Sequence, residues 1–155
     1  MKKIILTFVF VTIQTILFSQ VAISYFPFQS ILTISTNTDK IFFIDYKIET
    51  NNFISNLNME FSPKFNLKRT EATNYYIGTG LSFNPANANA DLPITNGYFM
   101  DFGIRAKPFI KIKHIQVVFE ISPYINKEFK SGNIRTRIGL AWNFTNKQSK
   151  ESSHE

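Results

Sequence analysis

The stretch Ile134-Arg-Thr-Arg-Ile-Gly-Leu-Ala-Trp-Asn-Phe144 decides the fold of this chain. Its even-numbered positions are apolar or aromatic apart from Thr136, and its odd-numbered positions hold Arg, Gly, Ala and Asn. Because successive side chains of a β-strand point to opposite faces, the pattern predicts a strand with one apolar and one polar face. Arginine beside glycine is unusual on a face that meets bulk water, and the pairing favours the narrow polar interior of a membrane barrel.

The same alternation recurs between turn-forming residues along the chain, and no stretch after Gln20 has the apolar spacing of a helix. Six clear strands are predicted, over residues 41–49, 53–65, 75–84, 98–107, 114–125 and 134–144. Two weaker strands are predicted over 21–26 and 30–36. We therefore expect an all-β fold, a closed antiparallel up-and-down barrel of about eight strands, because an open sheet edge is not tolerated in hydrocarbon.

The first twenty residues are typical of a secretory signal peptide. Lys2 and Lys3 precede an apolar run that extends to Phe18, and the small residue Ser19 marks a cleavage site. The alternative, an uncleaved anchor helix, needs about 20 apolar residues, and this run is shorter. The sequence thus predicts a signal peptide over 1–19, a transmembrane barrel over 20–144 and a disordered polar tail over 145–155.

Composition narrows the classes of function. The chain has 17 basic and 11 acidic residues and no cysteine, which excludes thiol chemistry and a cysteine-based metal site. The basic residues outside the signal peptide are scattered at predicted strand ends and turns, which argues against nucleic-acid binding and for a solvated rim beside anionic lipid headgroups. This rim set is Lys40, Lys64, Lys68, Arg69, Lys111, Lys113, Lys127 and Lys130.

Alternation alone leaves two arrangements open: an apolar face turned outward into lipid, or inward as in a soluble lipocalin-like barrel. Small residues on the polar face and the length of the six clear strands favour lipid outside. Aromatic residues at strand ends do so too, as interface girdles: Tyr75, Phe83, Tyr98, Phe109, Trp142 and Phe144. The alternative is a periplasmic or secreted barrel that holds an apolar ligand among Phe61, Ile77, Phe102, Phe119 and Ile138.

In the outward arrangement, charged side chains of both signs share the interior. Unpaired they would cost several kcal/mol each, so an ion-paired plug is predicted, with Arg135 and Arg137 pairing with Glu120 on the neighbouring strand. The predicted members are Asp45, Lys47, Glu49, Glu60, Asp101, Arg105, Glu120, Arg135 and Arg137. Eight strands leave a lumen filled by side chains, which favours a structural network over a conduit.

An even number of strands places both termini in the periplasm and the longest connector on the outer side. That connector begins at Pro85, ends at Asn96, and is rich in Asn, Ala and Pro, so we expect a flexible loop that could contact a surface ligand. Membrane lipid is the other expected partner, no nucleic acid is expected, and the barrel is expected to be a monomer.

The apolar-Ser-Gln end of the signal peptide, the two Glu-x-Ser-Pro stretches at Glu60 and Glu120, and the closing stretch that ends at Phe144 resemble the small outer-membrane β-barrel proteins of Bacteroidota-type bacteria. The resemblance implies an outer-membrane location and a closing aromatic residue that the insertion machinery reads. Phe144 could serve as that residue, although eleven residues follow it.

Catalytic and metal-binding residues are scarce. The only histidines are His114 and His154, neither is part of a His-x-Ser pair, and two distant histidines without cysteine do not form a tetrahedral zinc site. No cofactor, metal or enzymatic activity is expected. The sequence favours an outer-membrane barrel of a Gram-negative envelope with a structural or adhesion role.

Overall fold

Eight antiparallel strands close on themselves into a barrel in the computed structural model of this chain. The structure describes residues 21–50, 57–90, 92–109, 112 and 114–144. The predicted signal peptide, the predicted polar tail and the first residues of the strand predicted to begin at Phe53 lie outside the described residues. Within the described ranges, no helix is both long and apolar enough to cross a bilayer.

Each strand pairs with the next along the chain, and the first pairs with the last. The strands are β1 (Ala22–Phe26), β2 (Ile31–Ser35), β3 (Phe42–Glu49), β4 (Met59–Arg69), β5 (Thr73–Phe83), β6 (Thr95–Ala106), β7 (Ile115–Asn126) and β8 (Gly132–Asn143). Closure runs from Ala22 opposite Asn143 to Tyr25 opposite Leu140. The predicted up-and-down barrel of eight strands is therefore confirmed, and its closure pairs both outer edges of the sheet.

The two ends of the barrel differ in the connections they carry. The terminal end carries Ala22, Asn143 and the turns after β2, β4 and β6, whereas the loop end carries the turns after β1, β3, β5 and β7. β1 and β2 have five residues each, while β4 to β8 have 11 or 12. The predicted difference between two weak early strands and longer later ones is thus present.

The turn between β4 and β5 is tighter than the gap between the strands predicted over 53–65 and 75–84. β4 continues to Arg69 rather than ending at Phe65, and β5 already begins at Thr73. The reason lies in the Thr70 side chain, whose Oγ1 accepts the Thr73 N–H at 2.9 Å while the Thr70 N–H donates to Thr73 O at 2.8 Å. Three residues therefore suffice to reverse the chain.

The connector between β5 and β6, predicted as a flexible loop from Pro85 to Asn96, contains a short regular element. It contains a 3-10 helix, Pro85–Ala90, and β6 begins at Thr95. Asn84 fixes the start of the helix, because its Oδ1 accepts the Ala86 N–H at 3.0 Å and its carbonyl accepts the Asn87 N–H at 3.2 Å. Hydrogen bonds of this kind, between a side chain and the backbone, stabilise a turn at the start of the connector.

The apolar face of the sheet is on the outside. Buried strand residues are mostly polar or charged, and the large apolar side chains that stay exposed follow every strand around the barrel. They include Ile23, Tyr25, Ile34, Phe42, Phe61, Phe65, Leu81, Met100, Phe102, Phe119, Ile121, Ile138 and Leu140. We call this surface the apolar belt. In a soluble barrel the apolar face of the sheet packs inward, so the arrangement here is the reverse.

The apolar belt also contains most of the residues that a lipocalin-like pocket would need. Phe61, Phe102, Phe119 and Ile138 expose about 40% of their area, and Ile77 is half-buried on the same face. These five side chains therefore do not line an interior cavity.

Large aromatic side chains inside the barrel pack over glycine. Tyr76 on β5 lies opposite Gly103 on β6, and Phe99 on β6 lies opposite Gly80 on β5. A Cβ atom at either glycine would overlap the facing ring. Small residues on the polar face were expected to make space beside charged neighbours. Tyr76 and Phe99 were not predicted to lie inside, because apolar residues were expected outside.

Candidate functional site

Two lysines and two carboxylates form the centre of the barrel. Lys47 Nζ on β3 and Lys64 Nζ on β4 each lie 3.1 Å from Asp101 Oδ2 on β6. Both ammonium groups also contact Glu120 on β7, one at each carboxylate oxygen. All four side chains are at most 1% exposed. Each charge is thus compensated by neighbours on other strands.

Glu60 connects this centre to the two arginines of β8. Arg137 Nη2 lies 2.9 Å from Glu60 Oε1, and Arg137 Nη1 lies 3.1 Å from Glu120 Oε1. The predicted pairing of Arg137 with Glu120 is therefore present. Arg135 instead binds Glu60, with Nη1 2.6 Å from Oε1, so its predicted pairing with Glu120 is wrong. In the ladder Arg135 lies opposite Ser122, two residues beyond Glu120, and its side chain reaches across the lumen.

Toward the terminal end the network continues through Asp45 and Arg105. Asp45 Oδ2 lies 2.8 Å from Lys64 Nζ and 3.5 Å from Arg105 Nη2. The guanidinium group of Arg105 also lies over the rings of Phe43 and Tyr76, with its central carbon 5.4 and 5.7 Å from the two centroids. Aromatic faces thus stabilise a buried cation that has only one close carboxylate among the described residues.

Lys64 is the member of the network that the sequence analysis missed. It was assigned to the solvated rim because the predicted strand ended at Phe65, yet it is fully buried in the middle of β4. Gly78 on β5 lies opposite and leaves room for the lysine stem, since a Cβ there would lie 2.6 Å from Lys64 Cγ. The alternation of Glu60, Ser62 and Lys64 was the available signal.

The network of described residues is nearly neutral. Four acidic side chains meet four buried basic ones, and the ninth member, Arg135, is partly exposed at 22%. The nine members, which we call the ion network, are Asp45, Lys47, Glu60, Lys64, Asp101, Arg105, Glu120, Arg135 and Arg137. Glu49 was also predicted, but it lies half-buried near the loop end, where its carboxylate accepts the Asn58 amide at 3.0 Å.

The turn between β2 and β3 closes the terminal end of the barrel. Thr38 at its tip is fully buried, and Asp39 beside it accepts hydrogen bonds from three other parts of the wall. The donors are Asn74 Nδ2 at 3.0 Å, Lys107 Nζ at 2.7 Å and Asn143 Nδ2 at 3.2 Å. The predicted strands over 30–36 and 41–49 left residues 37–40 as a connector without an assigned role, because these partners are distant along the chain. We call this turn the plug turn.

The six predicted interface aromatics lie at the two ends of the barrel. Tyr75, Phe109, Trp142 and Phe144 are exposed at the terminal end, whereas Tyr98 is exposed and Phe83 half-buried at the loop end. The Trp142 ring stacks on that of His114 and is tilted against that of Phe144, with ring centroids 6.1 and 6.4 Å apart. Aromatic side chains thus flank the apolar belt on both sides.

His114 is held in a structural arrangement. Its Nδ1 lies 2.9 Å from Asn143 O, and its ring stacks on Trp142. Across the described residues, no group of three His, Asp or Glu side chains is placed to hold a metal ion. What the buried charges do in this geometry is fill the lumen and join β3, β4, β6, β7 and β8.

Comparisons of the chain with protein-family models, with curated proteins and with solved structures find no match.

Proposed function

We propose that this chain is a non-catalytic outer-membrane β-barrel protein whose apolar belt faces lipid and whose interior is sealed by the ion network. The observation that carries the proposal is the sidedness of the sheet: Phe102, Phe119 and Ile138 point outward while Asp101, Glu120 and Arg137 are buried. A soluble monomer rarely exposes a continuous apolar surface of this extent. Hydrocarbon around the barrel would remove the free-energy cost of exposing this apolar surface to water.

The dimensions of the wall support the same reading. Five of the eight strands have 11 or 12 residues, which is enough to cross the hydrocarbon core at the usual tilt. The exposed aromatic residues Trp142 and Tyr98 lie at opposite ends of the belt, at the levels where aromatic side chains concentrate in membrane barrels. Both features follow from the strand bounds rather than from any resemblance.

A sealed interior points to a role on the membrane surfaces rather than in transport. The ion network fills the middle of the barrel, and the plug turn closes the terminal end. We therefore assign the protein a structural role in the envelope or a role in surface binding. The contact surface for binding is the connector between β5 and β6, where Leu92 and Ile94 are exposed.

The single tryptophan gives a direct test of the membrane location. The protein is reconstituted in vesicles whose lipids carry bromine either near the glycerol end or near the middle of the acyl chain. We expect Trp142 fluorescence to be quenched more strongly by the first set, since Trp142 lies at the end of the belt. In a Trp142→Phe background, Ile138→Trp should reverse the order, because Ile138 lies in the middle of β8.

Quenching of neither tryptophan, together with recovery of the protein in the soluble fraction after osmotic shock, would overturn the proposal. The sealed interior has its own measurement: a folded barrel that shows heat-modifiable gel migration should produce no ion current in a planar bilayer. Steady single-channel currents would contradict the assigned closure.

A further inference from the structure

The wall between β6 and β7 is interrupted in the middle of the sheet. The ladder pairs Phe99 with Tyr124 and resumes only at Phe102 with Ile121. Pro123 lies in the gap, and proline has no N–H to donate to a neighbouring strand. The corresponding proline of β4, Pro63, interrupts the β4–β5 ladder, but there the hydroxyl of Ser62 donates to Thr79 O at 3.2 Å and crosses the gap.

The equivalent serine does not bridge the gap beside Pro123. Ser122 Oγ instead accepts from Arg135 Nη2 at 3.3 Å, on the inner side of the wall. A cavity of about 280 Å³ opens over this gap, with Met100 and Pro123 among its lining residues. We call this cavity the wall groove.

The wall groove is small and mostly apolar. Besides Met100 and Pro123, it is lined by Thr79, Tyr98, Phe99, Tyr124 and Ile125. Its volume lies just below the range of pockets that hold whole drug-sized ligands. The space fits a segment of one hydrocarbon chain, and it opens onto the apolar belt, in which Met100 is exposed.

An aromatic pair stands at the loop end of the wall groove. Phe129 lies face to face with Tyr98, with ring centroids 5.6 Å apart and planes inclined by 16°. The backbone of Phe129 has a φ of 58°, in the left-handed region that non-glycine residues adopt only where their surroundings enforce it. Asn126 enforces it, because its Oδ1 accepts the Lys130 N–H at 2.9 Å and the Ser131 N–H at 3.3 Å.

A lysine without an ion-pair partner among the described residues lies above the same groove. The Lys127 N–H donates to Asn96 O at 3.0 Å and so extends the β6–β7 ladder by one residue. Alternation then directs Lys127 to the outer face, two residues or about 7 Å beyond Ile125. Its neighbour Lys130 is already paired with Glu128 at 3.0 Å. The ammonium group of Lys127 therefore remains exposed at the headgroup level.

From these features we propose that the wall groove is a binding site for one anionic, phosphate-bearing lipid, for which phosphatidylglycerol is the probe. One acyl chain occupies the groove beside Pro123, and the lipid phosphate binds Lys127 above the Tyr98–Phe129 pair. The inference rests on the proposed membrane location and adds a specific lipid partner to it. Charge selects the occupant: a lone ammonium group beside an apolar slot is complementary to an anionic headgroup with an attached hydrocarbon chain.

The test uses native mass spectrometry of the barrel released from nanodiscs that contain phosphatidylglycerol and phosphatidylcholine. Wild-type protein should retain one phosphatidylglycerol. Lys127→Gln should weaken that retention about fivefold, the loss expected for one surface charge, whereas Lys130→Gln should leave it unchanged. Equal retention by the two variants would overturn the role of Lys127.

Filling the wall groove tests the acyl-chain site separately. Thr79→Trp and Met100→Trp should each abolish retention of the lipid, while Ile34→Trp on β2, on the opposite side of the barrel, should not. Heat-modifiable migration confirms that each variant has folded. If both groove variants keep the lipid, the site assignment is wrong even though the barrel resides in the membrane, and failure of the membrane location itself would already appear as loss of bromolipid quenching.

Discussion

Glu120 on β7 and Arg137 on β8 face each other directly in the sheet, and the two side chains form an ion pair with 3.1 Å between Glu120 Oε1 and Arg137 Nη1. The same carboxylate also contacts Lys47 and Lys64. Glu120 is therefore the anion on which three buried cations converge. The consequences for stability can be measured by substituting one charge at a time.

Glu120→Gln should lower the free energy of unfolding by about 3–5 kcal/mol, because three buried cations lose a shared carboxylate and the interior keeps an uncompensated positive charge. Urea titration of the barrel in lipid vesicles, followed by Trp142 fluorescence, measures the change. The matched control is Glu128→Gln, which removes an exposed ion pair and should change the free energy of unfolding by less than about 1 kcal/mol. Equal effects of the two substitutions would show that Glu120 is not buried among the cations.

Lys64→Gln distinguishes a buried lysine from a rim lysine. Asp45, Asp101 and Glu120 all contact Lys64, so we expect a loss of about 3–5 kcal/mol in the same titration. Lys68→Gln, four residues later on the same strand, should have almost no effect because Lys68 is exposed. Similar losses of stability for both substitutions would mean that Lys64 is an exposed rim residue, as the sequence predicted, and not a buried one.

Gly103→Ala should destabilise the barrel by about 1–3 kcal/mol, because the added Cβ would overlap the Tyr76 ring. A double-mutant cycle with Tyr76→Val separates this overlap from other effects of the new side chain. The double variant should lose less than the sum of the two single losses. Strict additivity would mean that Gly103 and Tyr76 are not in contact.

Asp39→Ala should weaken the plug turn. The substitution removes acceptors for Lys107, Asn74 and Asn143, and hydrogen bonds to a charged group contribute about 1.5–3 kcal/mol each. We expect the free energy of unfolding to fall by at least the value of one such bond. Asp39→Asn, which keeps the acceptor oxygen Oδ1, should have a stability between those of the wild type and Asp39→Ala. Wild-type stability of Asp39→Ala would contradict the contacts at the terminal end.

The outward side of Phe102 was predicted with the help of the small residues on the polar face, and closure from the rule that hydrocarbon tolerates no open sheet edge. Alternation along each strand predicted the number of strands and the opposite faces of Asp101 and Phe102. It is a local signal, so it carried no information on contacts across the lumen. Arg135 and Glu60 are 75 residues apart, and their pairing depends on how far neighbouring strands are staggered. The burial of Lys64 was missed for a related reason, because the Thr70 turn lengthens β4 and places Lys64 in the middle of the strand.

The inner aromatic residues were also missed, because alternation assigns apolar residues to the outside and polar residues to the inside. Tyr76 and Phe99 break the division into apolar outside and polar inside, and each needs a glycine on the adjacent strand to fit. The sequence shows the glycines Gly80 and Gly103, but the aromatic ring that fills the space over each glycine comes from a different strand. Only the register between strands brings the two together.

The pairs at the heart of the barrel join residues far apart along the chain: Lys47 meets Glu120 across 73 residues and Lys64 meets it across 56. In the proposed membrane setting, a partly assembled sheet that lacks β7 would leave both lysines without one of their carboxylate partners and their remaining ion pairs in an open interior, which hydrocarbon disfavours. For a barrel in the proposed location we therefore expect β3 to β7 to come into mutual contact before or during entry into the bilayer, rather than to insert hairpin by hairpin.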